Sequence, residues 1–380
     1  MIEKLRKYLL LLNGVLHQKK AKKSESILIL FSAAFGDAIL FQDCMRELVY
    51  KYPYEGKKRL RILCRQSVKD FYINSLGFSE RYFCKCTYTK NLKDIKNAIK
   101  ELGSESYKSI YAKDGALETC VIVSNLRASK VIRVTSEVEM NSRNPVNRYL
   151  VNKCFTDTTI VPMDTWELNR HAILLNRYEN IQVNPVVSNM KSVLNLHPYF
   201  DNNKMYVVIS TDSSAVYRTW NAEKISEIIH FITETYDYDV VLCGTNEYTV
   251  MDTSNRLINL TGKTSFSEWF SIIQFSKLVI GVDSAAIHVA LSLGTPAVVL
   301  RGYYEGKKYF PYPVEACNGN ICKCVTSKAE YNCYLCLQRK NIIKKKNPIC
   351  YSQCYKKKGI MSCLNNINVG QVKDAIREIL

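Results

Sequence analysis

The stretch LVIGVDSAAIHVALSLGTPAVVL, residues 278–300, decides the fold. Its first five residues are apolar and β-rich, the composition of a strand buried on both faces. The run stops at Asp283-Ser284, and a helical pattern follows to Ser292. Gly294 supplies a helix stop, Pro296 forbids continuation, and AVVL begins a second buried strand. Strand, helix and strand in so short a span predict a βαβ unit of a parallel sheet. Asp283 and Ser284 fall at the carboxyl end of the first strand, where open α/β sheets bind ligands. Either residue suits a helix N-cap. Ala285 and Ala286 leave the first-turn N–H groups open to an anion, and His288 lies one turn after Ser284 on the same face. At this point two readings stand side by side: a capped core helix with a buried histidine, or the wall of an anion site.

The same alternation runs outward in both directions. SILILF (26–31), KRLRILC (58–64), KSIYAKD (108–114) and KVIRVTS (130–136) read as strands with helical stretches between them. NLKDIKNAIKELG, ending at Gly103, is a plainly amphipathic helix, and VPMDTWELNRHAILLNRYE (161–179) reads as one long helix. Signals weaken toward residue 200. They resume with MYVVIS (205–210), AEKISEIIHFITETY, DVVLCG (239–244), a short helix over NEYTVMDTSN, LINLTG and SFSEWFSIIQFS. A chain of 380 residues accommodates two such halves. The predicted organisation is a basic leader helix over 1–25, a Rossmann-like domain over 26–190 and a second over 200–362. A Cys/Lys-rich insertion occupies 317–363, and a final helix spans 363–380.

Composition bounds the function. The hydrophobic fraction of 47% with 23% charged residues is that of a globular chain. The formal net charge is +18, and residues 301–360 hold thirteen Lys or Arg against three acidic residues. Such a surface attracts phosphate, whether of a nucleotide, a membrane, a glycan or a nucleic acid. Residues 1–23 place a short apolar stretch between basic clusters. Without a clear cleavage site this does not read as a secretory signal. A helix lying on an anionic membrane surface and a solvated leader helix both fit.

Four stretches in order resemble glycosyltransferase family 9, the bacterial heptosyltransferases. INLTGKTSFSEWFSIIQFSKLVIGVDSAAIHVALSLGTPAVVLRG is similar to the family's C-terminal signature, through Gly262–Ser265, Asp283, Ser284, His288, Gly294 and Pro296. ILILFSAAFGDAILFQDCMRELVYKYP resembles its N-terminal strand, loop and Gly-Asp, with Gly36, Asp37 and Pro53 in register. VVISTDSSAVYRTWNAEKISEII resembles the opening of its donor domain, and VVLCGTNE a strand followed by Gly244 and Glu247. The resemblance implies a GT-B fold: two doubly wound domains facing across a cleft, with the C-terminal helix returning to the N-terminal domain. It implies a metal-independent, inverting transfer of a heptose-like sugar from a nucleotide diphosphate such as ADP-heptose onto a lipopolysaccharide core or related surface glycan. It also implies a cytoplasmic enzyme, peripheral on the inner face of the inner membrane, with that anionic surface as a partner.

On that resemblance Asp37 is the general base that deprotonates the acceptor hydroxyl. The helix after Ser284 and the cation Arg218 stabilise the departing diphosphate. The family usually has Lys where Arg218 stands, and Gly where Ala285 stands, so the donor is left open. Thr211, Ser213 and Ser214 are candidate phosphate ligands, Glu247 a candidate for a nucleoside hydroxyl, and Asp283 and His288 for the donor sugar and phosphate.

Seven of the fifteen cysteines precede residue 250, mostly in apolar segments, and read as buried free thiols. Cys333-x-x-Cys336 with Cys350-x-x-x-Cys354 has a spacing that one structural zinc could satisfy. Reduced thiols packing an insertion, or disulfides, are the alternatives. Zinc plus the Lys runs frame a competing function, a zinc-stapled nucleic-acid-binding protein. An inactive relative that only binds nucleotide sugar is a third.

Overall fold

Strands that are apolar on both faces need cover on both sides, and this chain provides it by alternating strand with helix. The computed structural model describes residues 2–17, 23–54, 58–141, 145–200, 204–211, 218–250, 255–302, 307–327 and 362–380. They form two units, Met1–Thr165 with Asn169–Asn184, and Trp166–Leu168 with Pro185–Leu380.

In the first unit, β1 (Ile27–Phe31), β2 (Leu60–Cys64), β3 (Ser106–Ala112), β4 (Arg127–Thr135) and β5 (Asp157–Ile160) make one sheet in the order β2-β1-β3-β4-β5. Every neighbouring pair is parallel. The helices are α1 (Ile2–Leu16), α2 (Phe35–Lys51), α3 (Gln66–Asp70), α4 (Leu92–Leu102), α5 (Leu117–Ser124), α6 (Glu137–Asn141), α7 (Pro145–Cys154) and α8 (Glu167–Glu179). α4 shows how the sequence specifies them. Asn91 accepts a cap bond from the Lys93 N–H, and Ile95, Ala98 and Leu102 turn one stripe into the core. α8 starts six residues later than the apolar pattern predicts, because residues 163–164 form a turn after Pro162. Its last residue, Glu179, is buried and accepts hydrogen bonds from the hydroxyls of Tyr52 and Tyr111, with Lys51 Nζ 3.3 Å away.

The second unit holds β6 (Tyr206–Ser210), β7 (Asp239–Cys243), β8 (Leu257–Asn259), β9 (Leu278–Val282), β10 (Ala297–Arg301) and β11 (Cys322–Thr326), in the order β11-β10-β9-β6-β7-β8. It too is parallel throughout. Its helices are α9 (Ala222–Tyr236), α10 (Phe266–Phe275), α11 (Ala285–Ser292), α12 (Ser362–Asn365) and α13 (Val369–Arg377). Alternate residues Val207, Ile209, Val240, Leu242, Ile280 and Val298 join Ile225, Ile228 and Ile232 of α9 in one core.

Two expectations are corrected here, the start of the Cys-rich insertion and the short helix after β7. The Cys-rich segment does not begin as an insertion: Cys322–Thr326 is an edge strand paired with β10 in register from Ala297↔Cys322. The last helix, α13, has its described packing in the second unit. α13 packs against α9, β10 and β11, with Val372 and Ile376 completely buried in the second unit's core. Its apolar stripe joins α9 in covering the same sheet face. Residues 246–250 are not helical.

Candidate functional site

Each sheet reverses its winding once. In the first, β2 lies on one side of β1 and the later strands on the other, so the crevice opens past the carboxyl ends of β1 and β3. Asp37 sits in the first turn of α2, just after β1. Lys113 follows β3 directly, and its ammonium forms a salt bridge and hydrogen bond with the Asp37 carboxylate. Both side chains are mostly buried but open to solvent, at 13% and 16% exposure. The next residue, Asp114, accepts from Ser32 Oγ at 2.8 Å, from the Ala116 N–H at 2.9 Å and from Thr119 Oγ1 at 2.8 Å. Arg65 Nε donates to the Ser32 carbonyl at 3.0 Å. The loop after β1 is thereby held by residues from β2 and β3. The cap residue of α2 is Ala34, and Asp37 pairs with a cation across the switch point.

In the second sheet the reversal lies between β6 and β9. Arg218 comes from the segment after β6, and its Nη1 donates to the Asp283 carbonyl after β9 at 3.4 Å. The guanidinium thus bridges the crevice. Ser284 is the N-cap residue of α11 by backbone geometry, with φ −151° and ψ 174°, yet its side chain makes no cap bond. Its Oγ is out of solvent and has no hydrogen-bond partner among the described residues. The first-turn N–H groups of α11 therefore receive no side-chain acceptor from the cap residue, in a helix whose start carries partial positive charge. An oxyanion placed there would meet backbone donors, a hydroxyl and the Arg218 cation.

The remaining predicted residues separate. Thr211 is 1% exposed, and its N–H and hydroxyl both donate to the Cys243 carbonyl, so it stitches β6 to β7. His288 is buried; its Nδ1 is 2.5 Å from the Tyr312 hydroxyl, and its ring stacks on Phe310 at 4.9 Å. Burial holds the Tyr312 hydroxyl far above the usual tyrosine range, with the nearby Cys322 and Asp283 adding to it. Asp283 is buried beside this cluster. Glu247 is exposed next to Gly262, whose positive φ of 71° shapes the turn after β8 and whose N–H donates to the Gly244 carbonyl at 2.8 Å. Ala285 is half-buried at the first position of α11. Ser213, Ser214, Cys333, Cys336, Cys350 and Cys354 lie outside the described residues. Among the described residues no His, Cys, Asp and Glu cluster could hold a metal. The cysteines described there are free thiols, six of the seven before residue 250 being buried.

Sequence reasoning missed Lys113, Asp114 and Arg301. The last is a buried arginine ending β10, whose charge and hydrogen bond pull the Cys324 thiol down while burial holds it up at about 11. A cue for Lys113 was available, because a Lys-Asp at a strand's carboxyl end falls on the ligand side of a parallel sheet.

Two doubly wound parallel units with a ligand-side crevice in each are the architecture of a GT-B protein. Residues 95–346 match the family described as Glycosyltransferase family 9 (heptosyltransferase), and the chain belongs to that family. It is similar to Lipopolysaccharide heptosyltransferase 3 of Escherichia coli K12, 34% identical over 106 residues that make up 26% of this chain and 30% of that protein. The match thus spans less than a third of that relative. Among solved structures, the glycosyl transferase family 9 protein from Veillonella parvula superposes with a TM-score of 0.62 at 14% identity, covering 95% of this chain and 99% of that one. E. coli heptosyltransferase WaaC with ADP-2-deoxy-2-fluoro heptose gives 0.59 at 11% identity, covering 93% and 99%.

Proposed function

We propose that this protein is an inverting glycosyltransferase. It would transfer a heptose-like sugar from ADP-heptose, or a related nucleotide-diphosphate sugar, to a lipopolysaccharide core or similar surface glycan. The observation that carries this reading is the β6/β9 crevice, where a helix start without a side-chain cap, the Ser284 hydroxyl that has no partner among the described residues, and Arg218 converge at the position where such folds bind ligands. Family membership and the ADP-sugar held by E. coli WaaC support a nucleotide-diphosphate donor. The name of the E. coli K12 relative supports lipopolysaccharide as the acceptor.

In the reaction the acceptor hydroxyl attacks the anomeric carbon as the bond to the diphosphate oxygen breaks. Asp37 takes the hydroxyl proton, and the nucleoside diphosphate departs with the bonding electrons. Charge accumulates on the leaving oxygen, which is what the α11 N–H groups and Arg218 stabilise. Lys113 positions Asp37 by holding its carboxylate. A membrane-linked acceptor calls for an enzyme at the cytoplasmic face of the inner membrane. Calorimetry with ADP-heptose, followed by transfer onto truncated lipopolysaccharide, tests this. Saturable binding and transfer are expected; a chain that binds no nucleotide sugar would refute it.

A further inference from the structure

α1 carries an apolar stripe that nothing in the transfer reaction uses. The helix is fixed in rotation on α5 and α7. Lys7 Nζ donates to Glu118 at 2.9 Å and to the Lys90 carbonyl, and Asn125 Nδ2 donates to the Leu10 carbonyl at 3.2 Å. Gly14 permits the closest approach: a Cβ there would stand 2.5 Å from Ser124 Oγ and 2.9 Å from the Ser124 carbonyl carbon. Lys7, Leu11 and Gly14 are therefore the inward face.

Ile2, Leu5, Leu9, Leu12 and Leu16 recur at steps of three and four and are 39–75% exposed. At about 100° per residue they fall within an arc of roughly 80°, opposite the inward face. An ordinary surface helix places polar residues there. Lys4 and Arg6 of α1 are exposed, and Glu3 is the sole acidic residue among the first 23 of the sequence.

We propose that this face of α1 docks on an anionic lipid bilayer, the helix lying in the interfacial plane with its leucines in the acyl boundary and its basic residues at the headgroups. Resting on the transferase reading for its purpose, this assigns the part of the protein that meets the membrane carrying the acceptor. A second copy of the chain is a poorer occupant: five side chains of on the order of 100 Å² each offer about 500 Å², below the roughly 800 Å² per partner of a stable protein interface. Anionic lipid, in addition, complements the exposed Lys4 and Arg6. No described helix is long and apolar enough to cross a membrane, so the contact is one of lying on the surface.

The test is flotation of the full chain with vesicles of phosphatidylcholine alone and with about 30% phosphatidylglycerol, at low and high salt. Wild-type protein should float with the anionic vesicles and be released by salt. The Leu5→Glu/Leu9→Glu variant should lose at least about tenfold in bound fraction with an unchanged melting temperature, since both sites are exposed. Lys4→Ala/Arg6→Ala, which leaves the stripe intact, should weaken binding to the anionic vesicles. Wild-type failure to float, floating by the Leu5→Glu/Leu9→Glu variant at the wild-type level, or a stripe-dependent dimer in sedimentation without lipid binding would each overturn the proposal. ADP-heptose calorimetry on the same samples keeps the two readings apart. Lipid binding without nucleotide binding would sink the transferase and leave the docking face standing.

Discussion

Ser284→Ala separates a helix cap from a ligand-binding hydroxyl, because the two roles predict opposite signs in stability. Removing a working serine cap costs about 1 kcal/mol. Here no cap bond exists to lose. The Oγ is instead shut away from water without a partner among the described residues, a situation that costs about 1–3 kcal/mol. Alanine removes that penalty in part, since the residue itself keeps some exposure. The ligand-free variant should therefore be more stable by about 0.5–1 kcal/mol, a rise of roughly 2–4 °C in the melting of the second unit. Donor affinity should move the other way. A hydrogen bond to a charged phosphate is worth about 1.5–3 kcal/mol, so the Kd should rise roughly 10- to 100-fold. Scanning calorimetry of the free protein and titration calorimetry with ADP-heptose read the two quantities on one sample. A variant destabilised by about 1 kcal/mol with unchanged affinity would show an ordinary cap, and the anion-site reading of the helix start would be wrong.

Asp37→Asn should lower kcat by about 10²–10⁴ with little change in donor binding, and Lys113→Met should lower kcat while leaving the donor Kd alone. A coupled assay for released nucleotide tests both, and wild-type turnover by D37N would remove Asp37 as base. Gly14→Val should destabilise the first unit by about 1–3 kcal/mol, because the new side chain meets Ser124 where α1 seats; an unchanged urea midpoint would mean that α1 is not held there. Burial raises the Cys64, Cys84 and Cys243 thiols to about 12. The unfolded chain releases these protons from about pH 8.5 upward while the folded chain retains them, so stability is full below that pH and falls as it rises toward 12. Urea midpoints at about pH 7.5 and 10.5 should differ accordingly, and coincident midpoints would contradict it.

What the sequence makes legible follows from how local the cause is. Strand identity in LVIGV and AVVL and the helix stops at Gly294 and Gly103 all depend on residues a turn apart, and each stands as read. Ser284 was singled out by its place at the carboxyl end of a predicted parallel strand and Asp37 by the family resemblance; the structure puts both at the start of the helix that follows such a strand. The position of Lys113 at a strand end carried a cue, but its pairing with Asp37 did not, since that depends on β3 lying beside β1, a register fixed by strand order and not by any local pattern. The same holds for β11: two cysteines and a lysine in CKCVT masked a five-residue strand whose partner is β10.

His288 and Ser284 mark where a shared motif divides into two physical jobs. They lie one helical turn apart, and from spacing alone either could face an anion. The structure gives His288 a buried place against Phe310 and Tyr312, residues more than twenty positions later in the chain. That stack fixes α11 against the segment after β10. Asp283 is likewise buried, and its carbonyl receives Arg218. On the proposed reading, what the α11 start keeps for a ligand is the partly exposed Ser284, the first-turn N–H groups and the half-buried Ala285. Donor choice then turns on the smallest group in the motif. A methyl at the first helical position limits how closely a phosphate can approach the backbone donors, so Ala285→Gly should tighten binding of the bulkier diphosphate sugars in a competition series. If affinity is the same for all of them in both proteins, the methyl does not line the site and specificity lies elsewhere.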